Sequence, residues 1–243
     1  MEISAVCHVH SNWSYDGSWT LEDLSAKFRA QGHRVLMMTE HDRGFSVARL
    51  EEYRAHCAKV STSEILVVPG IEYSDSDNRA HVLVWGLVPF LGEGLPTSEM
   101  LESVRCAKGV AVLAHPSRKK VWESFSSDWG EKLLGIEVWN RKYDGWSPST
   151  TSPALIEKSA ALPFVGLDFH TDRQSFPLSM ALDIEGNISE ETVLGCLRSR
   201  RCSPRAFGAR LDDTLLRTTL PALKMMERGR RTAALLARRT GVR

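Results

Sequence analysis

The sequence lacks several features that would define its class at once. No run of apolar residues approaches the roughly 18 that a membrane span requires, and Met1–Ser4 show no secretory signal. The five cysteines form no C-x-x-C pair, and their odd number is typical of reduced thiols, so a cytoplasmic protein is expected. With 42% hydrophobic and 25% charged residues, the 243-residue chain is not disordered, collagen-like or disulfide-stapled. It has the composition of an ordinary soluble globular protein.

The charge is unevenly distributed. The net charge is +1, but residues 214–243 contain eight basic residues against the single acid Glu227, a net +7 that leaves −6 for residues 1–213. Four apolar residues of this segment recur at helical spacing: Leu216, Leu220, Leu223 and Met226. This pattern predicts a helix with a solvated basic face, and a nucleic-acid arm is the alternative. We therefore expect a domain over 1–213 and a basic C-terminal helix or tail over 214–243 that packs on it or extends from it.

Short apolar runs alternate with amphipathic ones along the rest of the chain. Seven strands are predicted: Ile3–Val9, Val35–Thr39, Ile65–Val68, His81–Gly86, Val110–Ala114, Leu134–Trp139 and Phe164–Phe169. Five further helices are predicted: Leu21–Ala30, Val47–Val60, Ser98–Ala107, Pro153–Ala161 and Ser189–Ser199. Strands separated by helices indicate parallel βα units, and the chain length is close to the ~250 residues of an eightfold barrel. An α/β barrel is expected.

Six of the eight histidines fall at the edges of predicted strands. In a parallel barrel the reactive groups lie at the C-terminal ends of the strands. Residues two apart on a strand point to the same side, so His8 with His10, and Asp168 with His170, are expected to project as pairs. A single strand histidine is more often a packed residue than a ligand. Burying so many imidazoles and carboxylates without cations is costly, however, so a multinuclear metal site is favoured.

The motifs follow a fixed order along the chain. They are His8-Val9-His10-Ser11, Tyr15-Asp16-Gly17, Thr39-Glu40-His41-Asp42, Pro69-Gly70-Ile71-Glu72, His81, Ala114-His115-Pro116 and Asp168-Phe169-His170. This order resembles the polymerase and histidinol phosphatase (PHP) superfamily over about residues 5–172. The resemblance implies a distorted (βα)7 TIM-like barrel with a metal site at the C-terminal face of its strands. It also implies two or three divalent ions there, Zn²⁺, Mn²⁺ or Fe²⁺.

The resemblance implies a complete ligand set as well. One ion is implied at His8, His10, Glu72 and Asp168, and Glu72 would bridge to a second ion. The second is implied at His81 and His115, and the third at Asp16, His41 and His170. Two positions depart from the family pattern without removing a ligand, because Glu40 stands where Asp is usual and Leu167 where a small residue is usual.

Such a cluster can bind a phosphate ester and activate a water, so no side-chain nucleophile is required. That fits a sequence without a Gly-rich phosphate loop or a G-x-S-x-G elbow. His170 and Asp42 are the candidates for protonating the leaving oxygen. Arg118 is the first candidate for binding the remaining phosphate oxygens, followed by Arg43 and Arg141. Each of these arginines could instead be a solvated loop residue.

The acidic body favours a small phosphorylated metabolite over a long polyanion, so a phosphomonoesterase is the leading hypothesis. The alternative is a phosphodiesterase or exonuclease acting on RNA ends, nucleoside bisphosphates or cyclic phosphates. The basic tail supports that alternative, as do tryptophans predicted in rim loops that could stack on a base or simply pack: Trp13, Trp19, Trp139 and Trp146. A metal-bound accessory module without turnover is a third reading. No membrane partner is expected, and the sequence does not determine the oligomeric state.

Overall fold

The computed structural model describes residues 1–240, and Arg243 with the rest of 241–243 lies outside the described residues. The described residues form twelve strands: β1 Glu2–Val9, β2 Val35–Met38, β3 Glu40–His41, β4 Leu66–Val68, β5 Gly70–Ser74, β6 His81–Trp85, β7 Val110–Leu113, β8 Gly135–Asn140, β9 Leu162–Gly166, β10 Leu178–Asp183, β11 Cys202–Ala206 and β12 Ala209–Arg210. The α-helices are α1 Leu21–Ala30, α2 Val47–Val60, α3 Thr97–Cys106, α4 Ser127–Lys132, α5 Ser152–Glu157, α6 Glu190–Arg198 and α7 Thr214–Thr240. Two 3₁₀ segments cover Arg118–Glu123 and Asp172–Gln174.

The major helices begin where the sequence provides a capping side chain. Thr20 accepts a hydrogen bond from the backbone N–H of Asp23 at 3.1 Å, and Ser46 caps α2 through Arg49. Ser189 begins α6 with a reciprocal capping box. Such caps satisfy backbone donors that the first helical turn leaves unpaired. The helices bury their apolar faces against strands whose side chains are almost all buried, which makes one continuous core.

The strands form two six-stranded sheets in a mixed α/β fold, with orders β12-β11-β10-β1-β2-β4 and β3-β5-β6-β7-β8-β9. Only Thr39 separates β2 from β3, and only Pro69 separates β4 from β5, so both chain segments pass from one sheet into the other. Beyond β9, the N–H groups of Leu167 and Phe169 donate to the carbonyl oxygens of Cys7 and His8, each at 3.0 Å. These links bring the ends of β1, β3, β5 and β9 to the same region.

The expectation of uniformly parallel βα units is wrong at β6. This strand is antiparallel to both β5 and β7, and Ser74 at the end of β5 pairs with His81 at the start of β6. The segment 75–80 between them is too short for the crossover of a dozen or more residues that parallel strands require. Because β6 runs in the opposite direction, its first residue lies at the edge where its neighbours end. His81 therefore joins the other strand-end residues.

Helix α7 packs on the loop that follows β8. Leu216 is buried, and Leu220 and Leu223 pack against the core, whereas Met226 is exposed, contrary to the predicted apolar stripe. None of the helices within residues 1–240 is both long enough and apolar enough to cross a bilayer. The division of the chain at residue 213 remains a prediction.

Candidate metal centre

All nine predicted ligand residues lie together at the shared ends of the strands. Eight of them are buried, and Asp16, in the loop after β1, has 36% of its side chain exposed. The members are His8, His10, Asp16, His41, Glu72, His81, His115, Asp168 and His170.

Glu72 lies at the centre of this cluster. Its Oε1 atom is 2.8 Å from His81 Nδ1 and 2.9 Å from His115 Nε2. The remaining close pairs are Oε1 with His8 Nε2 at 3.5 Å, and Oε2 with His41 Nδ1 at 3.2 Å and His10 Nε2 at 3.4 Å. Burial opposes ionisation of Glu72, but the surrounding histidines outweigh it and lower the pKa of the carboxyl well below its usual value. The carboxylate is thus held ionised among imidazoles, as a bridging ligand must be.

Asp168 forms a second centre of contacts. Its Oδ1 atom is 3.6 Å from His10 Nε2 and 3.8 Å from His8 Nε2, and its Oδ2 atom is 3.7 Å from His115 Nε2. These separations exceed a hydrogen bond. They match the ~3–4 Å expected between donor atoms that each lie about 2.1 Å from one shared ion.

Asp16 joins two histidines on the exposed side of the cluster. Its Oδ1 atom is 3.4 Å from His41 Nε2, and its Oδ2 atom is 3.1 Å from His170 Nε2. Partial burial raises the pKa of Asp16, but these two hydrogen bonds dominate and lower it far below the usual value. The ring of His10 lies 4.4 Å from that of His41 and 4.2 Å from that of His170.

The donor atoms themselves fit divalent cations. His8 Nε2, His10 Nε2 and Asp168 Oδ2 are buried and have no hydrogen-bond partner within residues 1–240. Three groups bring their donor atoms within 4.8 Å of one another: His10 with His41 and His170, His8 with Glu72 and His115, and His8 with His10 and Asp168. Buried polar atoms are rarely left unpaired, and mixed imidazole and carboxylate sets suit Zn²⁺, Mn²⁺ or Fe²⁺. Metal ions would satisfy all three atoms.

The backbone is strained at three of these residues. His8, His115 and Asp168 have φ values of 61°, 25° and 50°, a region that residues other than glycine rarely adopt. At His8 the register between β1 and β2 shifts, so β1 bulges between Cys7 and Val9. Simple strand alternation therefore does not explain how His8 and His10 converge. Strain of this kind persists where the surrounding structure imposes it, and it concentrates at functional sites.

Glu137 of β8 orients the buried ligands from behind, and sequence reasoning missed it. His8 Nδ1 donates to its Oε1 atom at 2.8 Å, while the His115 N–H and Asn140 Nδ2 donate to Oε2 at 2.7 and 2.8 Å. With Nδ1 engaged in this way, Nε2 is the ring nitrogen of His8 that is left to face a metal. Gly166 makes room for the pair, because a Cβ there would lie 1.9 Å from Glu137 Oε1. The available signal was an acidic residue in the middle of an apolar strand.

Glu40, which stands where the family pattern usually has Asp, also orients ligand residues, in this case through the loop that follows β1. It is fully buried and accepts hydrogen bonds from Ser11 Oγ at 2.6 Å and Ser14 Oγ at 2.5 Å. Ser14 Oγ in turn lies 3.4 Å from His10 Nδ1 and accepts the His41 N–H at 3.0 Å. Glu40 thereby fixes the loop that orients two of the predicted ligands.

Lys142 is the cation closest to the cluster, and it too was missed. Its Nζ atom is 3.1 Å from Asp168 Oδ1 and 3.4 Å from both ring nitrogens of His170. Burial disfavours the ammonium form, but Asp168 outweighs that effect and raises the pKa of Lys142. A protonated amine therefore lies beside the Asp168 carboxylate. Its position in the loop after β8 gave no sequence signal.

Arg118, the first predicted phosphate-binding residue, is directed elsewhere. Its Nε donates to Tyr143 Oη at 3.2 Å, and its two terminal nitrogens each donate to Asn78 at 2.8 Å, one to the backbone oxygen and one to Oδ1. Asn78 Oδ1 also accepts from His81 Nε2 at 2.7 Å, which leaves His81 Nδ1 facing Glu72. Arg118 thus supports a predicted ligand through Asn78.

The other predicted residues also lie beside the cluster rather than in it. Arg141 lies over the ring of Phe176 at 5.1 Å and donates to the backbone oxygen of Arg173. Arg43 is exposed and covers Tyr15, whose ring stacks on His41 at 5.1 Å. The buried Asp42 accepts the Ser74 N–H at 3.0 Å, and burial raises its pKa to about 6.

The predicted rim tryptophans differ from one another in position. Trp139 is fully buried and donates to the Gly145 oxygen at 3.1 Å, so it belongs to the core and its assignment to the rim was wrong. Trp13 is partly buried beside α2 and donates to His56, and Trp19 packs edge-on against Phe169. Only Trp146, which lies under the Arg230 guanidinium, is placed beside α7.

Comparison with known proteins yields structural likeness alone. No family model matches the sequence, and no curated protein matches it. PsfC from Pseudomonas syringae PB-5123 is similar with a TM-score of 0.62 and 15% identity, over 96% of this chain and 99% of PsfC. The lesion-specific endonuclease Q of Pyrococcus furiosus is similar with a TM-score of 0.61 and 13% identity, over 82% of this chain but only 56% of the endonuclease. A Bifidobacterium adolescentis protein described as a metal-dependent phosphoesterase gives 0.50 and 17%, over 78% of this chain and 91% of that protein.

Proposed function

Starting from a fold shared with PHP-like metal-dependent phosphoesterases, we propose that this protein hydrolyses phosphate esters with a cluster of divalent ions. The observation that carries the proposal is the convergence of all nine predicted ligands, among which buried donor atoms of His8, His10 and Asp168 have no hydrogen-bond partner within residues 1–240. We also propose that the two sheets act as one distorted seven-stranded barrel, because the residues that follow β9 are hydrogen-bonded to the end of β1. The expected cytoplasmic location remains part of this proposal.

The nine residues would hold two or three ions. On the assignment that the resemblance implies, His8, His10, Glu72 and Asp168 would hold one ion, and Glu72 would also serve a second with His81 and His115. The Asp16, His41 and His170 side chains would hold a third. Divalent ions bound there would polarise the phosphate oxygens and lower the pKa of a bound water toward neutrality.

The chain's own side chains would do the rest of the work. Lys142, beside Asp168, is placed to donate hydrogen bonds to a phosphate oxygen and neutralise its charge. His170 is itself a member of the cluster, with Nδ1 3.3 Å from Asp168 Oδ1, whereas Asp42 is bound to the Ser74 amide, so His170 is favoured as the proton donor to the leaving oxygen. Arg118 is proposed as a positioning residue for Asn78 and His81.

We propose a phosphomonoester as the substrate, supported by the acidic body and by Tyr15 and Arg43 at the rim of the site. The phosphodiesterase alternative is supported by α7, which places Arg228 and Arg231 beside the loop after β8. Likeness to a lesion-specific endonuclease is consistent with that alternative.

The test compares p-nitrophenyl phosphate, bis(p-nitrophenyl) phosphate and single-stranded oligonucleotides as substrates of the purified protein. We expect the monoester to have the largest kcat/KM, with all turnover lost in His10→Ala and retained in His33→Ala, a histidine outside the cluster. Faster turnover of oligonucleotides, falling steeply with salt, would establish the nuclease instead. Turnover retained in His10→Ala would contradict both.

A further inference from the structure

A second polar cavity lies beside the candidate metal centre, and no step proposed above uses it. It has a volume of 320 Å³ and lies between α7 and the loops that follow β7 and β8. The loops contribute hydroxyl groups from Ser117, Ser147 and Thr150, and α7 contributes Lys224 and Arg228. Hydroxyl donors facing a basic helix are a suitable environment for an anion.

The acidic side chains that line the cavity already accept hydrogen bonds from neighbouring protein groups. Glu227 accepts hydrogen bonds from Arg230 and Arg231, and Arg231 also donates to the backbone oxygens of Tyr143 and Asp144. The Asp144 carboxylate accepts from Ser117 Oγ at 2.7 Å and from the Asn140 N–H at 2.8 Å. Both carboxylates of the lining are therefore already bonded.

Two cations remain. In the part of the chain that the structure describes, neither Lys224 nor Arg228 forms an ion pair, although both line the cavity. Lys224 is half-buried and Arg228 is exposed. An anion entering the cavity would meet these two side chains without displacing an existing partner.

The cavity and the metal centre share one wall. Tyr143 lines the cavity, and its ring lies 4.5 Å from the ring of the predicted ligand His115. Ser117, also in the lining, follows His115 by two residues, and Lys142 immediately precedes Tyr143. A molecule that reached from the metal centre into the cavity would therefore pass Tyr143.

We propose that this cavity binds a second anionic group of the substrate, a phosphate held by Lys224 and Arg228 while the scissile phosphate lies at the metal centre. This inference rests on the proposed function for its first site, and it assigns the substrate to small molecules with two phosphate groups. The basic face of α7 then serves substrate selection, and the single acid of the helix, Glu227, anchors it to the loop after β8.

The experiment measures binding rather than turnover, on the metal-loaded protein, by calorimetric titration. The probes are non-hydrolysable alkane bisphosphonates with linkers of two to five carbons, each compared with the alkylphosphonate of the same length. We expect one linker length to bind roughly tenfold more tightly than its monophosphonate, because the second group gains charge-assisted hydrogen bonds. The double variant Lys224→Met/Arg228→Met should lose this preference and keep the monophosphonate affinity.

Two further variants keep the result interpretable. Arg228→Met alone, at an exposed position, should lose part of the preference without affecting packing, and Lys59→Met on α2 should lose none.

A preference that is absent from the wild type, or unchanged in the double variant, overturns the inference, even if phosphate esters are hydrolysed. Oligonucleotides that bind more tightly than every bisphosphonate, with that affinity lost in the double variant, overturn the assignment to small substrates. A preference that persists in a protein without esterase activity refutes the proposed function and leaves the cavity assignment standing.

Discussion

Replacing Glu137 with glutamine tests whether the buried carboxylate sets the protonation of the metal ligands. The side chain keeps its size, but it now presents one oxygen and one amide where two oxygens accepted three hydrogen bonds. If the amide faces His8, the imidazole must accept at Nδ1 and carry its proton on Nε2, the atom needed for a metal. If the amide faces the other way, the fixed N–H of His115 loses its acceptor in the core.

Each orientation of the introduced amide weakens the protein in a different way, one through metal affinity and the other through folding free energy. Loss of a partner that orients a ligand typically lowers metal affinity by about 10–100-fold. A buried N–H without an acceptor costs about 1–3 kcal/mol of folding free energy. We therefore expect Glu137→Gln to fold, to unfold at a lower temperature, and to bind at least one ion about 10–100-fold more weakly.

The assay is competition with a chromophoric chelator, with thermal unfolding recorded on the same samples. Glu131→Gln is the matched control, since Glu131 is exposed on α4. A Glu137→Gln protein with wild-type metal affinity would refute the proposed arrangement of His8, whatever its stability.

Three other predictions address separate parts of the account. Lys142→Met should lower kcat/KM for a phosphomonoester about 10–100-fold with the metal content unchanged, and wild-type kinetics would remove Lys142 from the site. Arg118→Ala should reduce metal retention by releasing Asn78 and His81, whereas a raised KM with full metal content would place Arg118 on the substrate, as the sequence predicted. Burial opposes the ionisation of Glu227, but hydrogen bonds from Arg230 and Arg231 outweigh it and lower its pKa to about 2. The ionised carboxylate therefore stabilises the folded protein fully above the unfolded pKa near 4.5, and this stabilisation is lost as the pH falls toward 2. Glu227→Gln should thus be about 1–3 kcal/mol less stable than the wild type at pH 7. This difference in unfolding free energy should shrink to zero as the pH is lowered from near 4.5 to about 2.

The helices were predicted well where local signals determine them. The structure places α2 at Val47–Val60, as predicted: Ser46 caps the segment, and its buried residues Leu50, Tyr53 and Cys57 recur at helical spacing. The short α4, at Ser127–Lys132, was missed because two turns carry too little periodicity to stand out.

The strands were harder to predict where proline or pairing direction intervened. The predicted strand Ile65–Val68 ended before Pro69 and no strand was predicted directly after it, yet β5 begins at Gly70. β11 was not among the predicted strands; it contains Pro204, a residue rare in central strands, yet it pairs with both β10 and β12. Pairing direction is a property of the whole sheet, so the antiparallel β6 could not be read from residues 81–85 alone.

The positions of the ligand-type residues were predictable because strand ends concentrate chemistry at one edge. The residues that orient them were not. Glu137 and Lys142 come from β8 and the loop after it, and their importance depends on contacts with His8 and Asp168 that are distant in sequence. The direction in which Arg118 points is likewise set by Asn78, a partner from another loop.

The most direct test of the central claim is hydrolysis of p-nitrophenyl phosphate before chelation, after chelation and after stepwise return of Zn²⁺, Mn²⁺ or Fe²⁺. If the cluster is the catalytic centre, activity disappears with the metal and returns in full by two to three equivalents per chain. Full activity in the metal-free protein would contradict the account.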